Sequence, residues 1–314
     1  MPSRLRSCSN QNFPLLLSLL SVEIDQYVKQ RRAEVDAALD RFLPTADTAP
    51  ATLHAAMRHS MFAGGKRLRP ILTLAAAEAC GGNPDHALAA ACAVECIHTY
   101  SLIHDDLPCM DNDDFRRGHP TCHKVYGDAI ALLAGDALQP LAFELLLQST
   151  ATGGHSQVDL VRELAVAASS RWLVGGQVMD LQAEGKKVSY EHLKMIHRGK
   201  TMAMLTVCLR LGGMCGGATE AQLAALTTFG QAAGLAFQII DDILDVTQTS
   251  EQLGKTAGKD VAAEKSTYPS ILGLEASRDE AHRLTAEAHD ALEIFGQNGF
   301  HLRGLADHLL ERQY

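Results

Sequence analysis

Two carboxylate clusters dominate the chemistry this sequence could perform. The first follows the apolar run Ser101-Leu102-Ile103-His104 and sets five acids close together: Asp105, Asp106, Asp111, Asp113 and Asp114. Acids at the C-terminal end of a helix oppose its dipole, so their placement asks for a cation. A calcium loop beginning at Asp111 fails, because its sixth position is Arg116 and its twelfth Cys122, where that loop needs Gly and Glu. The second cluster, Gln238, Asp241, Asp242 and Asp245, occupies i, i+3, i+4 and i+7, one stripe of a helix. Carboxylates on one stripe repel one another, and burial without a counter-charge is costly. Hard oxygen donors without His or Cys alongside suit Mg2+, which keeps waters and shares its remaining ligands with substrate phosphates.

The complementary cations come in short sets: Lys66, Arg67 and Arg69 after Gly64-Gly65, then Arg116-Arg117, Lys200-Thr201, and Lys255 with Lys259 and Lys265. Any one set reads as solvated surface. Two acidic clusters and several basic sets together ask for an anion held by metal on one side and by Lys/Arg on the other, and diphosphate fits. The balance of 28 Lys+Arg against 37 Asp+Glu, a net charge of −9, disfavours nucleic acid as a partner.

These groups need elements to position them. At 314 residues with 46% apolar and 21% charged composition, the chain can bury a large core. Aromatics are only 5%, Ala and Leu dominate, and alternating β-branched runs are missing, which favours helices. Glycine pairs and Gly-x-Pro turns divide the chain into three-to-four-periodic segments, so an all-α bundle of ten or more helices is expected. The segments 87–104 and 129–148 are apolar on nearly every side, as central helices are, and the site should lie among them. Pro140 inside one of them predicts a kink or break. No linker or repeat divides the chain, so a single domain is expected at 21–314, with 1–20 as an N-terminal extension expected to be disordered. That start carries Arg4 and Arg6 and no acid, a weak imitation of a targeting peptide, for which an upstream start codon is the blander reading. Eight scattered cysteines read as structural thiols in a reducing, cytoplasmic setting. No apolar stretch is expected to span a membrane.

In order and spacing these motifs resemble the trans-isoprenyl diphosphate synthases, most closely the bacterial farnesyl diphosphate synthase (geranyltranstransferase) group. The resemblance runs from about residue 35 to the C-terminus. It rests on Gly64-Gly65-Lys66-Arg67-Leu68-Arg69-Pro70, Asp105 to Asp111 with Arg116-Arg117, Gly175-Gly176-Gln177-Val178-Met179-Asp180, Lys200-Thr201, Gln238 to Asp245, and Lys255. It implies the isoprenoid synthase fold, helices around a deep central cavity with the two aspartate motifs facing each other, and a homodimer. Asp105 and Asp111 would bind two Mg2+ from one wall and Asp241 a third from the other, with Asp106 and Asp245 in support. Arg116, Lys200 and Lys255 would grip dimethylallyl or geranyl diphosphate, with Thr201 and Gln238 nearby. Gly65, Lys66, Arg69, His98 and Arg117 would hold isopentenyl diphosphate, and Lys265 and Asp180 are further carry-overs.

The resemblance also implies the reaction. The allylic diphosphate ionises, isopentenyl diphosphate attacks the cation, and a proton is lost, with preorganised charge in place of a nucleophile. Tyr100, followed by Ser101, lies five residues before Asp105, about 7 to 8 Å down the helix axis. In the family an aromatic residue there goes with a C15 product, so farnesyl diphosphate is the expectation and geranylgeranyl diphosphate (C20) the alternative. A terpene cyclase would not need the 64–70 element, and a regulatory subunit normally lacks an aspartate motif. A ferritin-like di-metal bundle needs a pair of Glu-x-x-His motifs that the sequence does not supply.

Overall fold

The computed structural model of the chain describes residues 13–247 and 266–310, with side chains from residue 22 onward. Helix α1, Phe13–Phe42, runs through residue 20 without interruption. Then come α2 (Ala51–Met61), α3 (Leu68–Ala79), α4 (Leu88–Asp105), α5 (Cys122–Tyr126), α6 (Asp128–Gln148) and α7 (Gln157–Ala167). They are followed by α8 (Leu173–Ala183), α9 (Tyr190–His197), a π turn (Arg198–Met202), α10 (Ala203–Cys215), α11 (Glu220–Thr247), α12 (Tyr268–Leu272), α13 (Leu274–Ala291) and α14 (Phe300–Leu310). Among the described residues the only strands are β1 (Phe115–Arg116) and β2 (His119–Pro120), one antiparallel hairpin. The all-α class is as the composition implies.

Unbroken burial marks the central helices. Every residue from Ala89 to Ile97 on α4 and from Ala203 to Leu209 on α10 is buried, so neither helix has a solvent face and neither needs a polar stripe. α3, α4, α10 and α11 pack in sequence, α6 lies along α4, α13 lies along α11, and α1 and α14 close over α3. Polar residues mark the starts. Ser156 and Asp159 form a capping box on α7, and Ser189 accepts from the His192 backbone N–H on α9, satisfying donors that a helix start leaves unpaired.

One buried ion pair locks the loop ahead of α3. Arg67, 4% exposed, sits in the left-handed region at φ 51°. Its guanidinium donates to Asp36 on α1 (2.7 Å), to Glu95 on α4 (2.8 Å) and to the Met61 carbonyl (2.6 Å). The loop bearing Gly64, Gly65 and Lys66 is thereby tied to three helices.

Two expectations need correction. α6 is helical through Pro140 rather than broken. Pro140 and Asp136 are both exposed, so the Asp136 carbonyl that loses its intrahelical partner faces solvent, where water can serve it. Three stretches, 84–105, 128–148 and 220–247, are long and apolar enough to cross a membrane by length and composition. A helix at the centre of a bundle meets the same demand: 72% and 61% of the apolar windows in the first and third are buried inside the fold. In 128–148 the share is 39%, because Leu132, Leu133 and Leu147 face outward, 45%, 51% and 62% exposed.

The Arg67 pair yields a test of the fold. Glu95→Ala strips a buried guanidinium of its deepest partner and should lower unfolding free energy by about 3–5 kcal/mol. Arg67→Met combined with Glu95→Leu should cost much less, since it strands no charge. Urea denaturation midpoints decide, and equal losses in the two variants would overturn this account.

Candidate active site

The C-terminal end of α4 delivers the first acidic cluster. Past Asp105 the chain folds back on itself, with the Asp111 N–H donating to the Asp105 carbonyl at 2.8 Å and Asn112 to Leu107 at 3.1 Å. The β1–β2 hairpin follows, its two central residues Arg117 and Gly118 at φ 54° and 79°, as a tight type I′ connection requires. The hairpin aims two arginines in different directions. Arg116 clasps the buried Asp106, through Nε at 2.8 and 2.9 Å and through the terminal nitrogen at 2.6 Å. Arg117 donates to the Gly64 carbonyl at 2.5 Å. Gly65 stands at φ 125°, a backbone conformation that side chains rarely adopt, and a Cβ there would also displace the Arg117 guanidinium.

Asp105 is left among like charges. Burial pushes its pKa up to about 6; Lys200 opposes the rise and Asp111 adds to it. Lys200 answers from the π turn, donating to Asp180 at 2.7 Å. Burial works against its charge, but Asp180 and then Asp105 hold its pKa above the ordinary lysine value. The turn comes this close because Gly176 of α8 and Gly199 meet backbone to backbone, where a Cβ on either would clash. π turns recur at functional positions because they re-aim side chains out of helical register.

α11 carries the second cluster. Thr201 donates to Gln238 (3.2 Å), Gln238 to Asp242 (3.3 Å), and the Tyr268 N–H to the other Asp242 oxygen (3.0 Å). Asp242 is thus buried as the anchor of α12. Asp241 is half-buried, and Asp245 is buried with Oδ2 lacking a hydrogen-bond partner among the described residues. Elsewhere Arg69 reaches His98 at 3.3 Å. Burial, then the Arg69 charge, drives the His98 pKa well below its ordinary value, so the imidazole is neutral and its Nε2 accepts, Arg having donors only. Lys66 is exposed beside them.

Two cavities that share Lys200 and Thr201 take in part of this set, while Lys66, Asp106, Asp111, Arg116, Arg117, Asp241 and Asp245 line neither. One, of about 180 Å3, is lined by Asp180, His197, Gln238 and Asp242. The other, of about 430 Å3, joins Arg69, His98, Asp105 and Lys200 to an apolar wall that includes Tyr100, Leu107, Leu173, Leu181 and Met204, with Ser101 also in the lining. Lys255 and Lys265 lie outside the described residues. Sequence reasoning did not see that Asp180 holds Lys200, that Arg116 is spent on Asp106, or that Asp242 faces Tyr268. Spacing alone carries no signal for any of these. Among the described residues no three His, Cys, Asp or Glu side chains are gathered as a preformed metal cluster. The donor chemistry nonetheless suits Mg2+: crowded carboxylate oxygens, one destabilised by burial and one buried without a partner.

A cavity that joins charged, acid-flanked residues to a long apolar wall belongs to an enzyme handling an apolar chain with an anionic head. Residues 50–293 match the Polyprenyl synthetase family, and the chain belongs to that family, the trans-isoprenyl diphosphate synthases. It is 50% identical over 289 residues, 91% of this chain and 78% of the relative, to the chloroplastic geranylgeranyl pyrophosphate synthase of Capsicum annuum. It is 49% identical over 300 residues, 93% and 80% of the two chains, to the heterodimeric geranylgeranyl pyrophosphate synthase large subunit 1 of Arabidopsis thaliana. The crystal structure of an FPP/GFPP synthase from Zymomonas mobilis superposes with a TM-score of 0.82 at 37% identity, covering 92% of this chain and 99% of that one. The chain is a prenyltransferase.

His197, stacked on Tyr268 at 5.5 Å, supplies a pH test. Burial lowers its pKa to about 4 against the pull of Asp180, and Asp242 at 3.9 Å is too far for a hydrogen bond. The unfolded chain takes up this proton near pH 6.5 and the folded one only near 4. This contribution is therefore complete above about pH 6.5 and fades as pH falls toward 4, by on the order of 3 kcal/mol at 1.36 kcal/mol per pH unit. His197→Gln should flatten the acid decline of Tm, and parallel Tm–pH curves for the two proteins would overturn the assignment.

Proposed function

We propose that this protein is a Mg2+-dependent short-chain prenyl diphosphate synthase that condenses isopentenyl diphosphate with an allylic diphosphate to give geranylgeranyl diphosphate and free diphosphate. The observation that carries the reading is the cavity of about 430 Å3 that sets Arg69, His98, Asp105 and Lys200 against an apolar wall. The C20 product is supported by the names of the plant relatives. One observation favours C15 instead: Tyr100 lines the cavity at 6% exposure, five residues before Asp105.

Mg2+ held by Asp105, Asp111, Asp241 and Asp245 would supply charge to the leaving diphosphate. The chain's own residues do the rest. Lys200, released from Asp180, and Arg116 meet the allylic diphosphate, so the charge that grows as the C–O bond breaks finds fixed cations. Arg69 with neutral His98, and Lys66 with Arg117, hold the diphosphate of isopentenyl diphosphate. Its double bond forms the new C–C bond, and the proton lost goes to the departing diphosphate. Leu107, Leu173, Leu181 and Met204 keep water from the cation.

A homodimer is part of the same proposal. The outward stripe of α6 needs cover, and three lining residues of the cavity, Leu132, Val174 and Val178, are themselves 45%, 43% and 46% exposed. A second copy packed on α6 would close that wall.

Asp105→Ala should cost at least about 3–4 kcal/mol of transition-state stabilisation, a hundredfold or more in turnover, with circular dichroism unchanged. Excess chelator should do the same to the wild type. Near-normal turnover in either case overturns the metal assignment.

Product length is read by chromatography of wild-type reactions with geranyl diphosphate. C20 is the expected product, and C15 alone would overturn that reading. Tyr100→Ala removes a ring and opens room for roughly one isoprene unit, whose burial is favoured by about 25 cal/mol per Å2. Longer products are expected. Unchanged product from a well-folded variant would show that another residue sets the length.

A further inference from the structure

Behind the π turn lies a second cleft, away from the aspartate clusters. Its larger part, about 470 Å3, is lined by Trp172, Lys194, Arg198, Met202, Leu235, Leu284 and Arg283, among others. A narrower part, about 120 Å3, continues past Trp172 and Met202 to Thr206. The combined space falls in the size range of small-molecule sites, roughly 300 to 1,000 Å3.

The charges are unevenly used. Arg283 is consumed by Glu280 and Glu287. Lys194 sits over the Tyr190 ring at 5.7 Å, and neither Lys194 nor Arg198 forms an ion pair or side-chain hydrogen bond with a described residue. Two cations therefore stand at one part of the cleft. Met202, Leu235 and Leu284, 7%, 4% and 4% exposed, supply an apolar floor under Trp172. Farther in, Thr206, 9% exposed, lines the narrow part.

We propose that this cleft is a second, metal-independent binding site for an anionic amphiphile, with a phosphate-class head at Lys194 and Arg198 and an apolar chain over Trp172, Met202, Leu235 and Leu284. The π turn is shared: Arg198 and Met202 face the cleft while Lys200 and Thr201 face the catalytic cavity. Occupancy of the cleft therefore biases the turn that presents Lys200. That coupling rests on the prenyl-transfer reading, whereas binding does not.

Trp172 is the single tryptophan of the chain, so its emission reports on the cleft. The full-length protein, in excess chelator, is titrated with decyl phosphate below its micelle concentration. A saturable change in emission is expected. In Lys194→Ala/Arg198→Ala, with unaltered circular dichroism, affinity should fall roughly tenfold or more, about 1.4 kcal/mol, and the single variant Lys194→Gln should fall part of the way. Inorganic phosphate alone should bind much more weakly. No saturable signal, undiminished binding in the double variant, equal binding of inorganic phosphate, or a signal abolished by Arg69→Ala instead each overturns the site. Co-sedimentation with phosphatidate-containing vesicles in place of soluble-probe binding would assign the head group to a lipid surface and overturn the soluble-ligand proposal. In Mg2+, decyl phosphate should change the KM for geranyl diphosphate in the wild type and leave it unchanged in the double variant. Binding with no effect on KM overturns the coupling alone.

Discussion

Carboxylates held at a helix C-terminus inside an apolar bundle stay ionised only if cations are placed for them, and much of this structure follows from that placement. α4 ends in Asp105 and Asp106 where its dipole is least favourable to acids. Asp106 is answered at once by Arg116, delivered by a tight hairpin. Asp105 is answered less completely: Lys200 approaches but is shared with Asp180, and burial still pushes the Asp105 pKa up to about 6. Burial also raises the Asp106 pKa against the Arg116 clasp, so neither carboxylate is fully compensated, and the imbalance at both makes the site receptive to added positive charge.

The cations reach their places through backbone geometry. Lys200 would point elsewhere on a regular helix. The π turn shifts its direction, and the Gly176–Gly199 contact lets that turn approach α8 closely enough for Lys200 to meet Asp180. The Gly64-Gly65 loop uses the same logic, since Arg117 lies where a Gly65 side chain would be, and buried Arg67 ties the loop to α1, α2 and α4. These charges are thus positioned by close backbone contacts at glycines that carry no charge themselves.

The helical class, the central position of α4, and the residues of both aspartate motifs were legible because periodicity and composition report burial and spacing directly. The segment 129–148 also read as central, but Leu132, Leu133 and Leu147 of α6 face outward, and the centrality of α10 was not read. Depth and partnership were not legible. Gln238, Asp241, Asp242 and Asp245 share one stripe on paper, yet Asp242 turns to the Tyr268 N–H, a partner 26 residues away in sequence. The sequence marked Arg116 but carried no signal of its pairing with Asp106. Pro140 predicted a kink or break, and the break did not occur: the helix continues through it on an exposed stretch. Membrane-spanning length looked absent because central bundle helices and spanning helices satisfy the same composition, and only packing separates them.

Product length is where these local and long-range effects meet. Tyr100 lies on the wall below Asp105, and a ring can stop a growing chain only in the direction it occupies. The same cavity is bordered by Leu132 on α6 and by Val174 and Val178 on α8, each more than two-fifths exposed. Between them the wall is thin, and whatever covers α6 becomes part of the cavity. Under the proposed reading a single side chain therefore sets a minimum obstruction rather than the full measure of the cavity, and the limit depends on Tyr100 together with whatever covers α6. Relatives sharing this fold carry names that differ in this same property, geranylgeranyl for the plant enzymes and FPP/GFPP for the Zymomonas mobilis structure. On the proposed reading, either the buried ring or the cover over α6 can change while Asp105, Lys200 and the Arg69–His98 pair stay where they are, so product length can vary without touching the charged end of the cavity.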